Sequence, residues 1–333
     1  MTMVRALVLL FSLAPLFSGC GGPASQTEDS STEAPFKVAL VTPGSINDAG
    51  WNALGYAGLK QIEKELRATV SHKHADGPKD FEVDFREYAR QGYQMIIGHG
   101  FEMQEFAAKV SKDYPDTVFV ITAGNKVEGN VVPIIPKLEE ATYLLGVIAA
   151  RMSKSGTAGL VGGQEIPPIK STFEAFKAGA LSVDPNFTIR TAFVGDWEDT
   201  AAAKEATLSL INQGADFIFH NADAAGRGAI QACREREGVW AFGSNSDQSS
   251  LAPDTVLASA VLEIPRIFVE IARSVKDGTF EPQEFRLTVA NAHTSLVYNP
   301  DLTDRIPAEV RDEVEALKNK LRDGSLVVER AHF

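Results

Sequence analysis

The segment VALVTPGSINDAGWN, residues 38–52, joins a short apolar run to a turn-rich polar stretch that carries one large aromatic side chain. The first five residues are aliphatic or β-branched and too few for a helix, so they predict a β-strand. A helix is predicted after the loop, because small or apolar residues recur at helical spacing at Gly55, Leu59, Ile62 and Leu66. This order places the loop at the carboxyl end of a strand in an α/β unit, where open parallel sheets bind ligands.

The loop offers a hydrogen-bond acceptor, a ring plane and an amide, in Asp48, Trp51 and Asn52. Such a set suits a small, planar, polar ligand. A structural role is equally open at this point. Trp51 can be a core residue, and Asp48 can cap the following helix, since Asp residues before helices commonly accept hydrogen bonds from the first free amides.

Short apolar strands alternate with helices from Phe36 onward, which predicts an α/β fold with mostly parallel sheets. The predicted strands are Val38–Thr42, Met95–Gly98, Val118–Thr122, Ala158–Val161, Thr188–Val194, Phe217–His220, Trp240–Gly243, Val256–Val261 and Phe285–Val289. This number of strands exceeds one comfortable sheet, so we expect two doubly wound lobes with a hinged cleft between them.

Each lobe is predicted to be discontinuous in sequence. The first crossing is placed near Pro136, where an apolar run ends and a long helix begins. We expect residues 36–137 and 258–285 in the N-terminal lobe, with Val256–Val261 and Pro265–Lys276 completing it. Residues 138–257 and 286–333 would then form the C-terminal lobe.

The first residues predict export and a lipid anchor. Arg5 precedes an apolar stretch too short to span a bilayer, and small residues then lead to Cys20, as in bacterial lipoprotein signals. Residues 1–19 are therefore predicted to be removed, with lipid on Cys20, although an ordinary signal peptide cleaved elsewhere is the alternative. Residues 20–35 lack apolar periodicity and are predicted to form a disordered tether. The other cysteine is Cys233, so acylation of Cys20 leaves no intramolecular disulfide.

Composition and motifs argue against several other functions. The formal net charge is −12 and no basic run offsets it, which argues against a nucleic-acid partner. The sequence contains neither a Gly-x-Ser-x-Gly elbow nor a Gly-x-x-x-x-Gly-Lys-Ser/Thr phosphate loop. His72, His74 and Asp76 could hold a metal, but a solvated loop is the simpler interpretation. His99 and His220 could form an acid/base pair, yet no nucleophile accompanies them.

Further polar and aromatic residues follow other predicted strands. Phe101 lies in a Gly-His-Gly-Phe loop, and Trp197 lies among the carboxylates of Asp196, Glu198 and Asp199. The remaining candidates are Asn221, Asp223, Asn245 and Asp247. Trp51 and Trp197 fall in loops of opposite lobes, so they are predicted to clamp a flat ring, each stacking contact contributing ~1–3 kcal/mol. The alternative is that these acids cap helices, which we favour for Asp199.

The ordered set formed by residues 37–66, 92–101, 114–119, 139–163, 193–206 and 241–248 resembles the basic membrane protein family of lipoproteins. The resemblance implies a type I periplasmic-binding-protein fold and a purine nucleoside receptor of an ABC importer, without a cofactor. It further implies a monomeric protein in the cell envelope, anchored by lipid to a bacterial membrane, facing the periplasm or the exterior and delivering its ligand to a permease.

Departures from the family pattern cluster where the family holds ribose. Asn245 replaces an expected Asp, and Leu262 falls where a Lys is expected. This loss predicts that a free nucleobase or another flat heterocycle competes well against its nucleoside. Two other functions remain possible at this stage: a ligand-sensing receptor without transport, and an enzyme acting on a nucleoside.

Overall fold

The computed structural model describes residues 34–331. The predicted signal peptide, Cys20 and nearly all of the predicted tether lie outside these residues. In the part that is described, no helix combines the length and the apolar character that a membrane span requires.

Strands and helices alternate along the described chain, with these bounds. The strands are β1 Lys37–Thr42, β2 Thr69–His74, β3 Met95–Gly98, β4 Val118–Thr122, β5 Val131–Pro136, β6 Thr157–Gly162, β7 Thr188–Phe193, β8 Phe217–Asn221, β9 Trp240–Asn245, β10 Val256–Leu262, β11 Phe285–Leu287 and β12 Thr294–Tyr298. The helices are α1 Trp51–Leu66, α2 Pro78–Arg90, α3 Gln104–Ser111, α4 Leu138–Met152, α5 Pro167–Val183, α6 Thr200–Asn212, α7 Gly226–Arg234, α8 Ile264–Lys276 and α9 Ala308–Arg322.

The described strands form two six-stranded sheets, in the orders β11-β5-β4-β3-β1-β2 and β12-β10-β9-β8-β6-β7. All pairs are parallel except β10 with β12. Central strands such as β3 and β8 are buried along their whole length, as helices on both faces of a parallel sheet require. The predicted α/β class is thereby confirmed. We call the lobe that contains β1 the first lobe and the lobe that contains β6 the second lobe.

The assignment of Val256–Val261 to the first lobe is wrong. These residues form most of β10, which pairs with β9 and β12 in the second sheet. The following helix, α8, does pack on the first lobe, where Arg273 pairs with Glu65 of α1 at 3.2 Å. The chain therefore crosses after the strand and not before it. A strand that is buried along its whole length fits the centre of either sheet, so its composition could not indicate which sheet it joins.

The chain also passes between the lobes from β5 to α4 and from β11 to β12. These two connections lie side by side, since the amide of Lys137 donates a hydrogen bond to the carbonyl of Leu287 at 2.8 Å. The amide of Val289 donates to the carboxylate of Glu140 at 2.6 Å. Hydrogen bonds therefore join the crossing segments to one another at one side of the cleft.

The interpretation of His72 and His74 as a solvated loop is wrong, since both lie in β2 at the edge of the first sheet. Edge strands can carry polar residues on both faces, so apolar alternation gave no signal here. The ring of His72 is held by the Thr42 hydroxyl, at 2.9 Å. Burial lowers the pKa of His72.

Candidate ligand-binding cleft

A cleft of about 660 Å³, its open mouth included, lies between the two lobes. Of the residues predicted from sequence, six line it, namely Trp51, Phe101, Trp197, Asn221, Asp223 and Asn245. The other three, Asp48, Asn52 and Asp247, are absent from its lining.

Asp48 shapes the first loop from inside. Its carboxylate is fully buried and accepts hydrogen bonds from the amides of Gly50, Asn52 and Ala53 at 3.0, 2.7 and 2.9 Å. It also accepts one from the side chain of Asn52, at 2.9 Å. These are the orphan donors at the start of α1, so Asp48 acts as a helix cap, as the structural alternative held. Its bonds fix the backbone from which Trp51 projects.

Trp51 is supported from behind by His99. The two rings stack with centroids 4.2 Å apart and planes 17° from parallel, and the indole Nε1 donates to the His99 carbonyl at 3.0 Å. Nε2 of His99 lies 2.8 Å from the Trp51 carbonyl, which can only accept, so Nε2 carries the proton and Nδ1 accepts from Thr122. Gly55 leaves room for this ring, since a Cβ there would lie 2.7 Å from it.

The two histidines considered as an acid/base pair are both buried; His99 follows β3 of the first sheet and His220 lies in β8 of the second. Neither lines the cleft. Burial lowers the pKa of His99 to about 4 and that of His220 to about 4. Both are therefore neutral near pH 7, and His99 serves as a support for Trp51.

Trp197 enters the cleft from the second lobe. Its ring lies against the backbone of Gly163, where a Cβ would come within 2.1 Å of Cε3. The Trp197 carbonyl accepts from the amide of Ala225 at 2.8 Å. Asp199, two residues after Trp197, caps α6 as predicted, since its carboxylate accepts from the amide of Ala202 at 2.9 Å. Local backbone contacts thus fix both ends of this loop.

Asp223 is the most unusual polar residue of the cleft. It is buried, has a left-handed backbone with φ of 46°, and its carboxyl group has no hydrogen-bond partner within residues 34–331. Burial raises its pKa well above the usual range, and the charges of Asp48, Glu102 and Glu198 add to this effect. Burial also raises the pKa of Glu102, which lines the cleft too. A ligand that donates hydrogen bonds would satisfy these acids.

The asparagines form a polar floor on the second lobe. The amide of Asn245 donates to Asn221 at 3.3 Å, and Asn221 lies 3.4 Å from the Thr172 hydroxyl. Asp247 instead turns its own loop, accepting from the amide and hydroxyl of Ser249 at 3.0 and 2.6 Å. Neutral groups with long hydrogen bonds leave donors and acceptors available to a ligand.

Several lining residues were missed by the sequence reasoning. They are Glu102, Glu139 and Arg330 among the charged residues, together with an apolar group formed by Pro43, Ile166, Pro168 and Ile169. Glu102 directly follows Phe101 and could have been found from that loop. Glu139 follows an apolar run that was not among the predicted strands, and Arg330 follows α9 far along the chain, so neither could be found from the end of a predicted strand.

Hydrogen bonds between the lobes bridge part of the mouth of the cleft. The carbonyl of Ala49 accepts from Ser246 and Gln248, each at 3.1 Å. The carbonyl of Asn47 accepts from Arg227, and the amide of Ser45 donates to Glu198 at 3.3 Å. The first loop of the first lobe is thus held by side chains of the second.

The model of the family described as ABC transporter substrate-binding protein, PnrA-like, matches residues 36–320. The chain belongs to this family. Among relatives of this PnrA-like protein is a purine-binding protein of Brucella abortus (strain 2308), 31% identical over 298 residues, which cover 88% of this chain and 83% of the relative. Another is the transcriptional activator protein med of Bacillus subtilis (strain 168), 29% identical, covering 84% and 85%.

Among solved structures, a solute-binding protein from Aeropyrum pernix K1 superposes with a TM-score of 0.82 at 20% identity, covering 90% of this chain and 95% of that one. The predicted type I periplasmic-binding-protein fold is thereby confirmed. Members of the PnrA-like family are the substrate-binding subunits of ABC transporters. Such subunits lie outside the cytoplasm, bind small molecules and interact with the permease of the transporter. The family assignment predicted from the ordered set of sequence segments is confirmed as well.

Proposed function

We propose that this PnrA-like protein captures a purine nucleoside, a nucleobase or a similar flat heterocycle for an ABC importer, by closure of its two lobes. The observation that carries the proposal is the pair of indole rings, Trp51 and Trp197, which line the same cleft from opposite lobes. Ring faces on both sides suit a flat aromatic ligand. The Brucella relative, named as purine-binding, supports this ligand class.

The polar groups agree with such a ligand. The carboxyl groups of Asp223 and Glu102, which line the cleft, can accept from ring N–H or amino groups. The amides of Asn221 and Asn245 can both donate and accept at the ring edge. Because nothing in this set forms a nucleophile with an adjacent base, we propose binding and not catalysis.

The test is titration calorimetry of the purified protein with adenine, adenosine, hypoxanthine and inosine. Trp51→Ala and Trp197→Ala should each weaken binding by about 1–3 kcal/mol, the value of one lost stacking contact. Trp240→Ala is the matched control, because this tryptophan begins β9 and does not line the cleft. Unchanged affinity in both cleft variants, or no purine binding by the wild type, would exclude the proposal.

A ligand sensor without transport is the second candidate, favoured by the similarity to a protein named as a transcriptional activator. Both functions use the same cleft closure. Pull-down of a permease by the ligand-loaded protein distinguishes them, since only an importer subunit should retain one.

We also propose attachment to a bacterial membrane by lipid on Cys20, with the folded part acting as a monomer in the periplasm or at the cell exterior. The support is the pattern of residues 1–20. Cys20→Ala should lose labelled palmitate and stable membrane association. Incorporation at the wild-type level in that variant would show that the anchor lies elsewhere.

A further inference from the structure

The segment after α9 returns to the cleft and is fixed on both sides of Arg330. The amide of Leu326 donates to the carbonyl of Lys320 at 2.9 Å, and Val328 is buried in the main core. The amide of Ala331 donates to the hydroxyl of Ser171 on α5, at 3.0 Å. Arg330 is therefore presented from a docked segment.

The guanidinium group of Arg330 lies at the crossing side of the cleft. Its Nε is 3.5 Å from Oε1 of Glu139, whose side chain is 2% exposed and also accepts from the Ser171 hydroxyl at 2.8 Å. The side chain of Arg330 lines the cleft and is 23% exposed. Its two terminal nitrogens have no hydrogen-bond partner in the described part of the chain.

Arg330 differs in charge from the other charged residues that line the cleft. Of the described lining residues, Glu102, Glu139 and Asp223 are acidic and only Arg330 is basic. Leu262, which also lines the cleft, supplies no charge. Glu139 and Arg330 thus form an ion pair beside the apolar residues Pro136 and Leu138 of the crossing segment.

We propose that Arg330, positioned by Glu139, determines specificity by donating hydrogen bonds to hydroxyl or ether oxygens on a substituent of the heterocycle, such as the sugar of a nucleoside. This inference rests on the proposed function. It differs from the expectation that the free base competes well against its nucleoside, because Arg330 and Glu139 supply from other elements the charged pair that Asn245 and Leu262 do not provide. Glu139 already balances the charge of Arg330, and no second basic residue of the described chain lines the cleft, which disfavours a phosphorylated ligand.

The planar fork of an arginine gives this role a distinct signature. Two parallel N–H donors can engage two oxygens of one substituent, which a lysine ammonium cannot match in geometry. A hydrogen bond to a charged group changes affinity by about tenfold to a hundredfold. Only ligands that carry the substituent should lose this contribution.

The experiment measures the affinity ratio between each nucleoside and its base, using adenosine with adenine and inosine with hypoxanthine. Arg330→Gln should weaken nucleoside binding about tenfold to a hundredfold while base binding stays within about threefold. Arg330→Lys should fall between this variant and the wild type. Arg322→Gln is the matched control, since this exposed arginine pairs with Glu315 on α9 and should leave all four affinities unchanged.

A second variant guards against a folding defect, because loss of Arg330 leaves the buried Glu139 without its cation. The double variant Glu139→Gln/Arg330→Gln removes both charges and should show the same selective loss for nucleosides. The inference would be overturned if the variants lost affinity equally for bases and nucleosides, lost none, or gained affinity. It would also be overturned if the wild type bound adenosine monophosphate more tightly than adenosine, or bound bases alone. Absence of any purine binding by the wild type would overturn the proposed function as well, so the two failures are distinguishable.

Discussion

Replacement of Asp48 by alanine should destabilise the protein far more than the usual loss of a helix cap. The carboxylate is fully buried and accepts four hydrogen bonds at the start of α1, at 2.7 to 3.0 Å. An ordinary cap of this kind contributes about 1 kcal/mol. Hydrogen bonds to a charged acceptor contribute about 1.5–3 kcal/mol each but are not additive, and water can reach some of the freed donors. We therefore expect a loss of about 3–4 kcal/mol in the free energy of unfolding.

Asp199→Ala is the matched control for this prediction. Asp199 caps α6 with one bond of 2.9 Å and is exposed, so its loss should cost about 1 kcal/mol. Urea unfolding followed by circular dichroism gives both values from the midpoint, provided that the slope is unchanged. If Asp48→Ala costs no more than Asp199→Ala, the network at the first loop does not hold that loop in place, and our account of how Trp51 is positioned is wrong.

Three further predictions concern the cleft. Trp51→Phe keeps a ring against His99 but leaves the His99 carbonyl without the indole donor. It should weaken purine binding by about 1 kcal/mol in calorimetry, less than Trp51→Ala. If the Phe and Ala variants lost the same affinity, the ring face would not be what binds the ligand. Gly163→Ala places a methyl group 2.1 Å from Trp197 and should lower ligand affinity at least about tenfold and stability by about 1–3 kcal/mol, and wild-type affinity in this variant would contradict the placement of the ring. Burial raises the pKa of Asp223, so above about pH 4 the unfolded chain loses this proton while the folded chain keeps it. The free energy of unfolding of the wild type therefore falls as pH rises. Asp223→Asn should be more stable than the wild type in urea unfolding at pH 7, and this difference should disappear toward pH 4.

Strand-end loops could be predicted from sequence because their signals are local. A buried strand followed by Gly, Asn, Asp or Trp is visible within a few residues, and parallel strands bring such loops to one edge. Six of the nine predicted site residues line the cleft for this reason. Asp48 illustrates the limit, since the same residue before a helix serves equally as a cap or as a ligand contact, and only burial and distances separate the two.

The features that sequence reasoning missed depend on long-range packing. Strand β2 can be polar because it lies at an edge of the first sheet. Strand β12 lies at an edge of the second sheet, where it pairs antiparallel with β10. The lobe to which β10 belongs follows from its partners and not from its composition. Arg330 reaches the cleft because Val328 packs in the core and the amide of Ala331 bonds to Ser171, and both partners are distant in sequence.

The contacts at the mouth of the cleft have a kinetic consequence. Ala49 accepts two half-buried hydrogen bonds from Ser246 and Gln248, and these bonds exist only while the lobes touch. At about 0.5–1.5 kcal/mol each, they favour the shut state by roughly 1–3 kcal/mol whether or not a ligand is inside. These bonds must break before a ligand enters, and they lengthen the residence time of a ligand once it is bound. A membrane partner that draws the loop of Ala49 away from the second lobe would accelerate release without touching the ligand.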